Sequence, residues 1–483
     1  MDNGQCFQNE SLALVAATWV TAGIACSIQN HKITKSKMSL TLTIESIGGD
    51  GDGVATYKGK KIYVNNALPG DMVQATIIDE AKSYAHASLS EIVKASDVRT
   101  KAKCPHVLQC GGCQIQEMRY DAQLALKMRR VRECFKKEGL SADCIQRTAG
   151  CNQTSGFRNK AIYPIARNAE GRIVTGFYAR RSHNIVENYS CMIGAAENEA
   201  ILRLIISHLE KFDIEPYCEA THQGIVRHVM IRKSFSNGQI MVCIVVNSRE
   251  LPHAGELVKQ LTAAKLGIRS ISLNVNTQAT NSIKGAELIN LYGNGFITDR
   301  IGDIRFKISP LSFYQVNGIQ LKRLYGKTLE MCRLTGGETV FDIYCGVGTI
   351  SLFLAQNAAK VYGVESVESA VIDARGNASF NNIGNVEFIA GKAEDVIPDL
   401  VENKGVKADV VVVDPPRKGC GKSVLDTIIK MRPRRMVYVS CDSASLARDL
   451  RYLTDNGFSI KEVQPVDMFP HTIHVENVVE ITM

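Results

Sequence analysis

Between residues 339 and 482 the chain alternates short apolar runs with helix-length segments. About seven such runs can be read, at 339–343, 360–364, 386–390, 408–413, 434–439, 459–466 and 475–482. Runs that are apolar throughout, rather than at every second residue, belong to strands buried on both faces, and the helical segments between them supply the cover. The spacing therefore predicts an α/β domain, a doubly wound parallel sheet flanked by helices. Open sheets of this kind bind ligands beyond the carboxyl ends of their strands. The residues at those ends decide what chemistry the chain can do.

The first run contains Asp342 and leads into Tyr344-Cys345-Gly346-Val347-Gly348, a tight turn before a helix. Ser351 stands where a dinucleotide fingerprint has its third glycine, so the turn is not built for a pyrophosphate. The second run ends at Glu365, placed for a ribose diol. Such a turn with that acid suits S-adenosylmethionine, whose carboxylate can sit near a helix amino terminus. The fourth run releases Asp414 into Asp414-Pro415-Pro416-Arg417-Lys418-Gly419, where two prolines stiffen the backbone beside a nucleobase position. Gly419-Cys420-Gly421-Lys422-Ser423 has the tail of a phosphate loop, but Pro416 occupies the place of that motif's first glycine, which excludes an NTPase. The fifth run stops at Ser440-Cys441-Asp442. A lone buried cysteine is ordinarily a small hydrophobe. At the reactive edge of a sheet, in this company, Cys441 is a candidate nucleophile.

At 483 residues the chain is too long for one core. It divides into an upstream extension at 1–37, a barrel-like segment at 38–96, a central segment at 97–310 and the α/β domain at 311–483. The net charge of +8 fits a polyanionic partner. Residues 12–25 are apolar and contain the single tryptophan, yet they are shorter than a membrane span. They follow Asp2 and Glu10 with no lysine or arginine, so they make no signal peptide, and Met38 is the expected start. Fifteen unevenly spaced cysteines in so long a chain point to metal-bound or catalytic thiols in a reducing cytoplasm. No membrane association is expected, and the chain is read as a monomer.

Within 38–96, strands are predicted at 40–47, 53–64, 71–79 and 84–93, separated by the glycine-rich turn at 48–53 and by Leu68-Pro69-Gly70-Asp71. Short strands at this spacing form a small OB-like barrel, a fold that commonly binds nucleic acid, with Lys58, Lys60 and Lys61 on its face. Cys104, Cys110 and Cys113 follow with the spacing of a half-built metal site. Cys191 leads Cys144, Cys151 and His106 as the fourth ligand, and spacing does not separate zinc from an iron–sulfur cluster. A helix over 117–139 carries Lys127, Arg129, Arg130, Arg132, Lys136 and Lys137 as a basic face. Aromatic and basic residues mix at 156–160 and 176–183, as phosphate contacts beside base stacking require. Residues 200–310 alternate helix and strand and read as scaffold and RNA-facing surface.

Five ordered motifs carry a resemblance: Phe313-Tyr314-Gln315-Val316-Asn317, residues 342–348, residues 414–419, Ser440-Cys441-Asp442 and His474-Val475-Glu476-Asn477. Together they resemble the RNA uracil-5-methyltransferase family from about residue 39 to the end. The resemblance implies a TRAM module, a class I methyltransferase domain and an RNA substrate. It also implies a [4Fe-4S] cluster on Cys104, Cys110, Cys113 and Cys191, and S-adenosylmethionine contacted by Gln315, Tyr344, Glu365 and Asp414. Cys441 becomes the nucleophile and Glu476 the base. Ser443 departs from the pattern, because the family usually has proline after Ser-Cys-Asp. The chemistry agrees: carbon 5 of uracil is a poor nucleophile until a thiolate adds at carbon 6. By the same analogy 23S ribosomal RNA is the expected target, with the transfer RNA T-loop as the alternative. Two rivals remain, an RNA-binding assembly factor without catalysis and an amino-group methyltransferase suggested by Asp414-Pro415-Pro416.

Overall fold

The computed structural model describes residues 38–483, so the expected extension at 1–37 lies outside the described residues. The first sheet has six strands, in the order Ser39–Thr43, Met72–Glu80, Tyr84–Lys94, Lys60–Val64, Gly53–Tyr57 and Ser46–Ile47. Two expectations change here. The run 53–64 is a hairpin rather than one strand, turning at Lys58 and Gly59, whose φ values of 50° and 77° give the twist a tight hairpin needs. The run 40–47 breaks because the chain changes partners: the Ile44 amide donates to Asp71 and the Glu45 amide to Val54. Lys60 is no open contact, since its ammonium lies 2.6 Å from Glu80.

The central sheet has seven strands, ordered Glu287–Gly293, Ile268–Val275, Ile240–Val246, Val226–Lys233, Lys160–Arg167, Ile173–Tyr178 and Ile185–Glu187. Helices Glu197–Lys211 and Ala254–Ala263 cover one face, where Tyr163, Ile205, Val229, Val242, Leu257 and Ile271 form a core. The other face meets the hairpin of Ile297–Ile301 and Ile304–Ile308, so Met230 and Met241 share a core with Phe306 and Leu324.

The third sheet orders Val386–Ala390, Lys360–Glu365, Thr339–Ile343, Val410–Val413, Arg435–Ser440, Glu476–Thr482 and Ser459–Val466. The first five are parallel, as expected, but Glu476–Thr482 runs antiparallel to both its neighbours. Residues 467–475, the link from the preceding strand, are too few for the helical crossover that a parallel strand demands, so the chain turns straight back. That reversal brings the start of the last strand to the reactive edge.

The basic helix, Tyr120–Lys137, also departs from expectation. Gln123, Lys127, Val131 and Phe135 recur every four residues and form its buried stripe. Lys127 is therefore no part of a solvated face. Its ammonium lies 2.5 Å from Asp467 and donates to the Phe469 carbonyl at 2.9 Å, and both ion-pair side chains are fully buried.

Candidate active site

The turn after Thr339–Ile343 is shaped by conformations few residues tolerate. Tyr344 and Gly348 have φ of 68° and 81°. A Cβ on Gly348 would stand 2.6 Å from the Phe388 ring, so only glycine permits this approach. The Gly346 amide donates to Glu365 Oε2 at 3.1 Å, which ties the turn to the end of the next strand. Ser351, the residue in place of a third glycine, donates its hydroxyl to Asp342 Oδ2 at 2.5 Å. Tyr344, Ser366, Gly391, Ala393 and Pro416 line a cavity of about 680 Å³ beside these strand ends.

Gln315 is buried on a loop pinned to the central domain. The Asn159 side chain donates to the Gln315 carbonyl at 2.9 Å, and the Asn159 amide donates to the Val316 carbonyl at 2.7 Å. Asn317 caps helix Gly318–Cys332 by accepting from the Gln320 amide. The same loop exposes Phe313 to 67%.

Cys441 and Glu476 meet by register. Ser440 pairs with Asn477 at the end of antiparallel strands, so Cys441 and Glu476 each stand one residue beyond that last pair, close enough for the Glu476 charge to act on the thiol. Glu476 is 2% exposed, and its Oε2 has no hydrogen-bond partner. Burial, then the nearby Asp414, pushes Glu476 up to about 8, while Arg417 pulls it down. Burial alone pushes Asp414 up to about 7. Asp342 also rises to about 7 through burial, against the lowering pull of the Ser351 bond. The Cys441 thiol is driven to about 11 by burial and then by the charges of Glu476 and Asp414, with Arg417 opposing them. This edge thus concentrates buried acids, and Asp414 raises both Glu476 and Asp342. A cationic ligand relieves that field, and a sulfonium methyl donor has the required charge.

Ser443 is the first residue of helix Ser443–Asp455, which Asp442 caps by accepting from the Ser445 amide. Proline is favoured at such a position because no amide partner is lost there, and serine fits equally. The Ser443 hydroxyl instead lies 3.3 Å from Asn477 Nδ2, one residue from Glu476.

Cys104, Cys110, Cys113 and Cys191 line one cavity of about 1040 Å³ between the barrel and the central sheet. Cys144 packs against the catalytic core, Cys151 donates to the Gln153 carbonyl, and neither these nor His106 line it. Burial raises Cys113 to about 12, with further raising by Cys191, Cys110 and Cys104. Among the described residues, no three potential ligands are drawn close enough together to hold a metal ion. One backbone amide points at a sulfur of the set, Gly112 donating to Cys110 at 3.4 Å, while the Gly194 amide donates to the Cys191 carbonyl. Four thiols on one cavity wall are the ligand type of a soft metal centre.

Comparison with known proteins bears on this geometry. The family described as tRNA (Uracil-5-)-methyltransferase matches residues 253–482, and the TRAM domain matches residues 39–90. A Halalkalibacterium halodurans protein, named as an uncharacterized RNA methyltransferase, is 45% identical over 453 residues, which span 94% of this chain and 98% of its own. The chain belongs to the RNA uracil-5-methyltransferase family. A similarly named Bacillus cereus protein is 47% identical over 438 residues, 90% of this chain and 95% of that one. The structure of a Pyrococcus abyssi tRNA (uracil-54, C5)-methyltransferase with S-adenosyl-L-homocysteine matches with a TM-score of 0.75 at 26% identity. It covers 92% of this chain and all of that one.

In this methyltransferase the sequence reading left two residues without a role. Arg417 is the cation that lowers both Cys441 and Glu476, and it stood unassigned inside a motif already singled out. Tyr325 lies fully buried within reach of Asp414, Asp342 and Glu476, its hydroxyl 3.2 Å from Thr349 Oγ1. Nothing in the sequence distinguishes it from an ordinary core tyrosine of an amphipathic helix. Among the described residues no helix is long and apolar enough to cross a membrane.

Proposed function

We propose that the protein methylates carbon 5 of a uridine in RNA through a covalent adduct at Cys441. The observation that carries this reading is the convergence of Cys441 and Glu476 just beyond the Ser440–Asn477 pair, beside Asp414. S-adenosylmethionine supplies the methyl group, and Gln315, Tyr344, Glu365 and Asp414 hold it. The Cys441 thiolate forms a bond to carbon 6 of the ring, and the electrons displaced make carbon 5 nucleophilic. Once carbon 5 carries the methyl, Glu476 takes the carbon 5 proton, the sulfur–carbon bond breaks, and the ring double bond returns as Cys441 leaves. Burial gives Glu476 the raised basicity this proton transfer needs. The target base leaves its stack to be reached from both sides. Cys104, Cys110, Cys113 and Cys191 hold a [4Fe-4S] cluster that braces the barrel against the central sheet.

The target is 23S ribosomal RNA in this reading, supported by the TRAM domain together with the four-cysteine cavity. A transfer RNA target is the second reading, favoured by the activity named for the Pyrococcus abyssi enzyme. Anaerobically purified protein is incubated with labelled S-adenosylmethionine and either unmodified large-subunit RNA or transfer RNA, and 5-methyluridine is mapped. Label at a ribosomal uridine, absent with Cys441→Ala, is the expected result. Label in transfer RNA alone moves the target, and label in neither rejects the chemistry.

A further inference from the structure

The face of the central sheet that turns toward the catalytic domain carries a cluster of cations that form no ion pair among the described residues. Register sets Lys160 opposite Arg232, Arg232 opposite Met241, and Met241 opposite Ser270. Directly paired residues share a face, so Lys160, Arg232 and Ser270 lie in one row across four strands. Lys284 reaches over that row from the loop before Glu287–Gly293, its ammonium 3.4 Å from the Leu311 carbonyl. Arg232 and Lys284 both repel Lys160, and Arg232 repels Lys284.

The donors of this row are under-used. Arg232 is 1% exposed and donates to the Ser309 and Ser312 carbonyls at 3.2 and 3.0 Å, yet its Nε has no partner. The buried Ser270 hydroxyl has none either. Among the described residues, Lys160, Arg232 and Lys284 make no ion pair. Asp299, the acid that Arg232 feels, is taken up by the Ser234 hydroxyl and the Ser236 and Arg300 amides. A buried arginine beside two half-buried lysines, with the Arg232 Nε and the Ser270 hydroxyl unpartnered, is unfavourable until an anion joins them. Lys160 shows that cost, its ammonium brought down to about 7 by burial and by Arg232, Lys284 and Arg158.

The position of the row selects the anion. It lies under the loop that carries Phe313 and Gln315, because Arg232 bonds that loop at Ser309 and Ser312, and Asn159, next to Lys160, bonds it at Gln315. Flipping a base swings its backbone, and phosphates flanking it must be held while the base is out. We propose that Lys160, Lys284 and Arg232 form a site for a backbone phosphate of the RNA segment that carries the target uridine. This rests on the reading of RNA as the substrate. The carboxylate of the methyl donor belongs at the Gly346 to Gly348 turn instead. Lys160, at the end of the row, also borders the four-cysteine cavity, where Arg158 donates to its carbonyl at 3.0 Å, whereas Arg232 and Lys284 do not line that cavity.

The test uses the full chain and the half-buried lysines, leaving Arg232 intact because its bonds also hold the loop. Binding of unmodified large-subunit RNA and transfer RNA transcripts is measured by fluorescence anisotropy over a series of salt concentrations. For Lys160→Gln combined with Lys284→Gln, affinity is expected to fall roughly tenfold or more. The slope of log Kd against log salt should flatten by about one unit, with S-adenosylmethionine affinity unchanged. Lys160→Arg, which keeps the charge, should retain most of the affinity. An unaltered slope and affinity in the double variant overturn the site. So does loss of iron absorbance alongside affinity, which would assign the cations to the cysteine cavity. Wild-type protein that binds RNA with the steep slope but transfers no methyl group leaves the site standing and rejects the proposed chemistry.

Discussion

The charge of Glu476 works against the Cys441 thiolate before substrate arrives. The thiol sits at about 11 partly because Glu476 is near, so Glu476→Gln should shift alkylation of Cys441 by iodoacetamide to lower pH. Peptide mass analysis across a pH series reads this directly, and an unmoved midpoint would separate the two residues. The acids Asp342, Asp414 and Glu476 also set a pH dependence of stability. Their folded values, about 7, 7 and 8, lie above those of an unfolded carboxyl. The folded state therefore binds more protons, and the stability they contribute is fully present below about pH 4 and lost as pH rises through 7 to 8. The melting temperature of the ligand-free protein should decline across that window, and Glu476→Gln should make the decline shallower.

Helix Tyr120–Lys137 belongs physically to the catalytic domain, though the whole central sheet separates the two in the chain. Val131 and Phe135 pack with Phe341, Tyr438 and Val479, and Lys127 pins Asp467 at the start of the link to Glu476. The Tyr120 hydroxyl donates to the same carboxylate at 2.8 Å and accepts from the Cys151 amide. Removing one partner of a buried pair strands the other charge, so Lys127→Ala should destabilise the protein by about 3–5 kcal/mol in chemical denaturation. Lys127→Met with Asp467→Leu should recover most of that loss, because no charge is then left alone. A loss under 1 kcal/mol for the single variant would mean that water reaches Asp467.

Across the whole molecule, the barrel is held by charge as well as by the cysteine segment. Asp52, 4% exposed, accepts from Arg180 at 3.2 Å and from Arg181 at 2.7 Å, two residues of the loop that also borders the cysteine cavity. The proposed cluster then fastens the same junction a second time. Cys191→Ser should lower iron and inorganic sulfide together in anaerobically purified protein and speed proteolysis between the barrel and helix Tyr120–Lys137. Unchanged iron content would remove Cys191 from the ligand set.

The sheet with its reactive edge was legible in the chain because buried parallel strands leave uninterrupted apolar runs, and the residues that end them stand beside them in sequence. Glu365, Asp414 and Cys441 could be placed for that reason, and the run 339–343 coincides with the observed strand. Local pattern says nothing of partners far along the chain. Lys127 reads as a solvated cation until Asp467, 340 residues away, is brought against it. The reversal of Glu476–Thr482, the pinning of Gln315 by Asn159, and the row of Lys160, Arg232 and Lys284 likewise exist only after distant segments pack. Sequence alone determined which reactive groups end the strands. Tertiary structure decided which of them meet, because burial and the fields of distant charges arise only in the folded state.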